Sequence, residues 1–125
     1  MEQIGGSLTS LSLFIVLILS FFAATAPTIV VMGEISDTQC VFSVHSSDGT
    51  HSAMIKTGTL GRSPEECART CVRMGGKYVL VDPVRNKIYH LANPERAADF
   101  AAKQVRVEGV SDSRGVFRIT SIAAH

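Results

Sequence analysis

The chain has 125 residues, which is enough for one domain and too few for two domains of ordinary size. Lys and Arg together number 12 and Asp and Glu 11, so the formal net charge at pH 7 is +1. This balance gives no electrostatic reason to expect nucleic acid, an anionic membrane surface or an acidic protein as the partner.

The region near the N-terminus predicts export. Residues 11–26, "LSLFIVLILSFFAATA", are apolar and end in the small-x-small pattern of a signal-peptidase cleavage site. Residues 1–26 are therefore predicted to be a signal peptide or an N-terminal membrane anchor, and residues 27–125 to form a domain in the periplasm or outside the cell. Glu2 and Pro27 are atypical of a cleaved signal, and in the alternative residues 8–31 stay in the inner membrane.

The exported part begins with a predicted strand, a long loop and a helix. Residues 28–35, "TIVVMGEI", are rich in β-branched side chains and predict the first strand. A Ser-, Thr- and Gly-rich segment without a sustained period follows and predicts the loop. Ser63 then begins the helix, since Pro64 suits its first position and Glu66 completes a capping box. The glycine pair Gly75-Gly76 is predicted to end it.

One face of this helix carries sulfur. Cys67, Cys71 and Met74 recur at positions i, i+4 and i+7, which is the spacing of one helical face. Ala68 and Val72 lie beside them. The stripe is therefore predicted to face the core.

Four more strands are predicted after the helix. Residues 77–81 and 87–91 predict a hairpin, Asn93-Pro94 begins a second short helix, and residues 104–110 and 116–122 predict the last two strands. Strict alternation divides the last two strands into a buried and an exposed face. The buried set is Val105, Val107, Gly109, Phe117 and Ile119, and the exposed set is Arg106, Glu108, Arg118 and Thr120.

This order of elements predicts a mainly β fold with one or two short helices. Five strands with a helix between the third and fourth match the OB-fold, a small Greek-key barrel, here with the Cys-bearing helix inserted between strands 1 and 2. A closed barrel suits a small domain because it removes exposed sheet edges. An SH3-like barrel or an open α+β sheet is the alternative.

Several segments together resemble small exported bacterial proteins of OB-like fold and uncharacterised function. They are "GEISDTQC", the C-x-x-x-C helix that leads into "GGKYVLVD", then "KIYHL", and "VRVEGV" followed by "ITSI". The resemblance covers nearly all of the chain after Met32, and it implies export, a β-barrel and cysteines without an assigned activity. Members of that family often have Gly directly after the first cysteine, where this chain has Val41.

The three cysteines are disulfide candidates. Cys67 and Cys71 lie one helical turn apart, with Cβ atoms about 6 Å from each other, which is too far for an unstrained bond. The easier bond joins Cys40 to Cys67 or to Cys71, and it would stabilise the domain by roughly 3 kcal/mol. An odd thiol remains, which suggests a free reactive group, an intermolecular bond or a metal ligand.

The alternative is a metal site formed by Cys40, His45, Cys67 and Cys71. Three sulfur atoms and one imidazole suit tetrahedral zinc or copper(I). The spacing C-x4-H…C-x3-C differs from the usual zinc-finger patterns, and C-x3-C differs from the C-x-x-C of thioredoxin-like enzymes. Buried thiols without a ligand are a third alternative. Both the disulfide and the metal site require Cys40 to lie close to the two helical cysteines.

Nothing in the sequence forms a catalytic constellation, since a Gly-rich phosphate loop and a G-x-S-x-G elbow are both missing. The protein is therefore predicted to be a non-enzymatic, OB-like binding or interaction domain of the bacterial cell envelope, without a cofactor and with an unknown envelope ligand or protein as its partner. The alternative function is a zinc- or copper-binding domain. A nucleic-acid platform on the barrel would be weak and would consist of Tyr78, Tyr89, Lys77, Lys87, Arg106 and Arg118.

Overall fold

A computed structural model describes residues 24–42 and 61–125. Within these ranges, five strands form one antiparallel sheet in the order β3-β2-β1-β4-β5. The strands are β1 Ile29–Asp37, β2 Tyr78–Asp82, β3 Lys87–His90, β4 Gln104–Ser111 and β5 Phe117–Ala124, and the helices are α1 Thr38–Val41, α2 Pro64–Arg73 and a 3-10 helix at Pro94–Phe100. The predictions of a mainly β chain and of a Cys-bearing helix between the first two strands are confirmed. None of the helices in these ranges is long and apolar enough to cross a membrane.

The central strand β1 pairs with two neighbours along different parts of its length. Its first half pairs with β4 and its last four residues pair with β2, with Glu34 in both ladders. Gly33 lies where the strand changes partners, and a Cβ atom there would be 2.1 Å from the carbonyl oxygen of Val81. Residues 29–31, the last part of the segment predicted as a possible membrane anchor, lie in β1, and Val31 is fully buried in the sheet.

The residues directly after β3 contact the start of β5. A lone parallel bridge joins Leu91 to Phe117, and the amide of Ala92 donates to the Phe117 carbonyl at 2.8 Å. The Asn93 side chain continues this contact, since its Nδ2 donates to the carbonyl of Ile119 and its Oδ1 accepts from the Ile119 amide, both at 2.9 Å. No strand ladder joins β3 to β5 in the described part of the chain, so the sheet is not closed.

We expect Asn93→Ala to lower the free energy of unfolding by about 2 kcal/mol, because it removes two partly buried hydrogen bonds and leaves both backbone groups of Ile119 without this partner. Urea denaturation followed by far-UV circular dichroism measures the change. The control is Arg118→Ala on the exposed face of the same strand, which should change stability by less than about 0.5 kcal/mol. Equal stabilities for the two variants would show that the Asn93 bridge does not hold the edges together.

The core lies on one face of the sheet and under the helices. Val105, Val107, Phe117 and Ile119 are at most 1% exposed and belong to one apolar cluster, as the alternation of β4 and β5 predicts. The rings of Tyr89 and Phe117 meet in this cluster with centroids 5.3 Å apart. The opposite faces of β4 and β5 carry Arg106, Arg118 and Thr120, which are all exposed.

Helix α2 begins as the capping residues predict, and the glycine pair Gly75-Gly76 follows directly after its C-cap, as predicted. The Ser63 hydroxyl accepts from the Glu66 amide at 3.1 Å, and the Glu66 carboxylate accepts from the amide of Arg62 at 2.7 Å. The helix ends at Arg73, so Met74 is the C-cap residue and is 54% exposed. The prediction that Met74 faces the core is therefore wrong: the buried part of the stripe ends at Cys71, and Met74 lies at the exposed C-terminal end of the helix.

Candidate metal centre

The first cysteine is held by a one-turn helix that the sequence did not predict. Asp37 ends β1 and caps α1, and its carboxylate Oδ1 accepts from the amide of Cys40 at 2.9 Å. Thr38 ties the same turn to the start of β2, since its amide donates to the Lys77 carbonyl at 2.9 Å and its hydroxyl accepts from the Lys77 amide at 3.0 Å. These bonds fix the position from which the Cys40 side chain extends.

Helix α2 supplies the other two cysteines. Cys67 and Cys71 are both fully buried, and Ala68 between them is part of the main apolar core. The end of the helix is tied back by the Gly76 amide, which donates to the Cys71 carbonyl at 3.0 Å. Because the neighbouring positions are anchored in the core, the two thiols keep a defined direction toward α1.

The three sulfur atoms converge in a small cluster, which we call the Cys trio: Cys40, Cys67 and Cys71. All three Sγ atoms lie within 4.8 Å of one another, and those of Cys40 and Cys71 are 4.0 Å apart. The residues are at most 2% exposed and form a buried cluster separate from the main core. The expectation that Cys40 lies close to both helical cysteines is confirmed.

In the described state the three sulfur atoms are not bonded to one another. A disulfide requires sulfur atoms about 2.05 Å apart, and the three thiols of the trio are free. Around a tetrahedral zinc with Zn–S bonds of about 2.3 Å, neighbouring sulfur atoms lie about 3.8 Å apart. The separation of 4.0 Å between Cys40 and Cys71 is close to that value. The trio therefore has the dimensions of a metal site.

Burial makes the thiols poor acids. It raises the pKa of Cys71 from its ordinary value of 9.0 to about 12, and the Asp37 carboxylate adds to the effect. Burial also raises the pKa of Cys40, again with a contribution from Asp37, and that of Cys67. At neutral pH the metal-free thiols are therefore protonated, and a metal ion must displace protons in order to bind.

Not every predicted ligand can be located. His45 lies outside the described residues, as do His51 and Asp48, which with His45 form a second, less specific cluster of possible ligands in the sequence. Asp37 is the functional residue that sequence reasoning missed, although Asp directly before a one-turn helix is a typical cap. It is fully buried, and its carboxylate accepts a hydrogen bond from the Cys40 amide beside the trio.

The structure weakens the nucleic-acid platform further. Tyr78 and Tyr89 are 7% and 3% exposed, so their rings are not available for stacking with bases. The exposed ring pair nearby is Phe42 with His90, at 6.2 Å between centroids and 19° between planes. A single aromatic pair of this kind offers only a small surface on which bases could stack.

Comparison with known proteins adds no relative to these observations: no protein-family model, no curated protein and no solved structure matches the chain. The functional argument therefore starts from the chemistry of the site. Within the described residues, that site is the buried trio of thiols beside Asp37.

Proposed function

We propose that the protein is a metal-binding domain whose centre is formed by the thiolates of Cys40, Cys67 and Cys71, with zinc as the ion. The convergence of three buried sulfur atoms within 4.8 Å carries this proposal. A single free Cys often serves as a small buried apolar side chain, whereas here three thiols from two separate helices meet with their ligand atoms within 4.8 Å of one another. Metal binding would also connect α1 to α2.

The sequence supplies a fourth ligand for this centre. His45 follows Cys40 by five positions, so a short connection can bring its imidazole to an ion held by the trio. A closed set of three sulfur atoms and one nitrogen is typical of structural zinc sites, which keep no open position for a substrate. If His45 is not a ligand, the soft three-sulfur set suits copper(I) instead.

Elemental analysis of protein purified from a reducing cytoplasm tests the proposal. We expect one zinc ion per chain and a large fall in melting temperature after removal by a chelator, because metal-binding free energy adds to folding free energy. His45→Ala should lower the zinc affinity at least tenfold, while His51→Ala, which removes the other histidine of the same segment, should not change it. Protein without zinc or copper, with unchanged melting after the chelator, would remove the proposal.

The centre would belong to an exported, non-enzymatic OB-like domain of the cell envelope. The strand order β3-β2-β1-β4-β5 supports this architecture, as does the parallel bridge between Leu91 and Phe117, at the place where such a partly open barrel brings its edges together. Residues 1–26 support export on sequence grounds. A closed centre supports a structural or binding role and not catalysis, and an envelope ligand or protein would then be the partner.

A further inference from the structure

The electrostatic surroundings of the trio place a limit on the charge that it can hold. Three thiolates around a divalent ion carry a net charge of −1, and around a monovalent ion −2. The fully buried Asp37 lies at the entrance to α1, bonded to the Cys40 amide, and a buried net negative charge beside a carboxylate is costly. The ligand that is least penalised by this site is a trivalent centre, because three thiolates neutralise it.

We propose that the trio also binds trivalent arsenic, taken up as arsenous acid, through sulfur bonds to Cys40, Cys67 and Cys71. Three As–O bonds break and three As–S bonds form. Each thiol proton leaves with a hydroxyl group as water, so three water molecules are released, and arsenic keeps its oxidation state. The inference uses the same thiols as the proposed zinc centre, but it goes beyond that function and does not depend on zinc binding.

The geometry suits this ligand in two respects. Trivalent arsenic takes three sulfur ligands and carries a lone pair, so it needs no fourth ligand, and the described residues bring three ligand atoms together within 4.8 Å. The cluster is at most 2% exposed, which keeps out the water that would reverse the reaction. A thiol pair would hold arsenic by two bonds, whereas the trio saturates it.

Proton release distinguishes this ligand from zinc. Calorimetric titration in buffers of different ionisation enthalpy should show no net release of protons when arsenous acid binds. It should show release of about three protons for each zinc ion bound. The zinc affinity should therefore rise steeply between pH 6.5 and 7.5, up to about a thousandfold, while the arsenic affinity changes less than about twofold. Proton release with arsenous acid comparable to that with zinc would overturn the proposal.

Variants and mass spectrometry test the three-sulfur assignment. Native mass spectrometry should show one arsenic atom gained and three hydrogens lost per chain. Cys67→Ser should lower the affinity for arsenous acid at least tenfold, and the control Arg118→Ala on the exposed face of β5 should leave it unchanged. If Cys67→Ser fails to fold, the mass of the folded parent protein decides: one arsenic gained with three hydrogens lost supports the assignment, and an adduct that keeps an oxygen on arsenic overturns it.

The zinc and arsenic results can be read separately. Zinc binding without arsenic binding would overturn this inference and leave the proposed function in place. Arsenic binding without zinc or copper binding would overturn the proposed function and leave this inference in place. Three thiols that remain fully reactive in the folded protein with an excess of either reagent would overturn both.

Discussion

The Ile119→Asp variant is expected to leave the domain unfolded at room temperature. Ile119 is 1% exposed and packs in the main core with Val107 and Phe117. A carboxylate there loses the burial of the isoleucine side chain, which is worth about 1.5–3 kcal/mol, and places a polar group without a partner in apolar surroundings, at a further cost of several kcal/mol. A domain of this size has roughly 5–10 kcal/mol of stability to lose.

Arg118→Asp is the matched control, because it introduces the same carboxylate one position away on the exposed face of β5. It should change the free energy of unfolding by about 0.5 kcal/mol or less. Val107→Asp and Arg106→Ala repeat the contrast on β4, where Val107 is fully buried and Arg106 is exposed. Far-UV circular dichroism and urea denaturation report all four variants, and the opposite order of stabilities would show that the facing of both strands is wrong.

The strands could be predicted because each carries its own signal. In β4 and β5, alternation of apolar and charged side chains identifies both the element and its buried face without knowledge of the rest of the fold. The start of helix α2 could also be predicted from local sequence, since Ser63, Pro64 and Glu66 together identify it. The convergence of Cys40 on the helical cysteines was also predictable, because β1 and α2 both present core-facing sides next to the cysteines.

Contacts between distant segments could not be predicted in the same way. The Asn93 side chain bonds to the backbone of Ile119, 26 positions away, and no property of the Asn93-Pro94 pair indicates that partner. Whether the two edges of the sheet meet depends on the twist and bend accumulated over all five strands. Gly33, where the backbone of β1 passes close to that of Val81, is one position that affects this geometry. The turn α1 is too short to carry a period, although its cap Asp37 bonds locally, to the amide of Cys40 three positions along the chain.

The reduced, metal-free protein is expected to lose stability as the pH rises above 9. In the folded state burial raises the pKa of Cys71 to about 12, and it raises the pKa values of Cys40 and Cys67 as well. The unfolded thiols release their protons from about pH 9, whereas the folded thiols hold theirs, so the unfolded state is favoured increasingly. The stability contributed by the neutral thiols is thus complete below pH 9 and is lost as the pH rises toward the folded pKa values.

For Cys71, whose folded pKa is raised to about 12, the expected loss is about 1.4 kcal/mol between pH 8 and 10. Urea denaturation at fixed ionic strength in this range measures it, with a reductant and a chelator present. Because Tyr and Lys residues also titrate near pH 10, the informative quantity is the difference in slope between the parent protein and Cys71→Ala. The variant should be less stable at every pH and should lose stability with rising pH by about 1.4 kcal/mol less than the parent.

In the presence of zinc, the stability of the protein should rise with pH between pH 6 and 8, which is opposite in sign to the dependence of the metal-free protein. A bound ion requires thiolates, so rising pH removes the competition from protons, strengthens zinc binding and raises the melting temperature of the zinc-loaded protein. The same three side chains thus destabilise the empty domain at high pH and stabilise the loaded domain at neutral pH. Identical slopes for Cys71→Ala and the parent protein between pH 8 and 10 would mean that Cys71 is not a buried neutral thiol. A zinc effect independent of pH would mean that the ion is not held by thiolates.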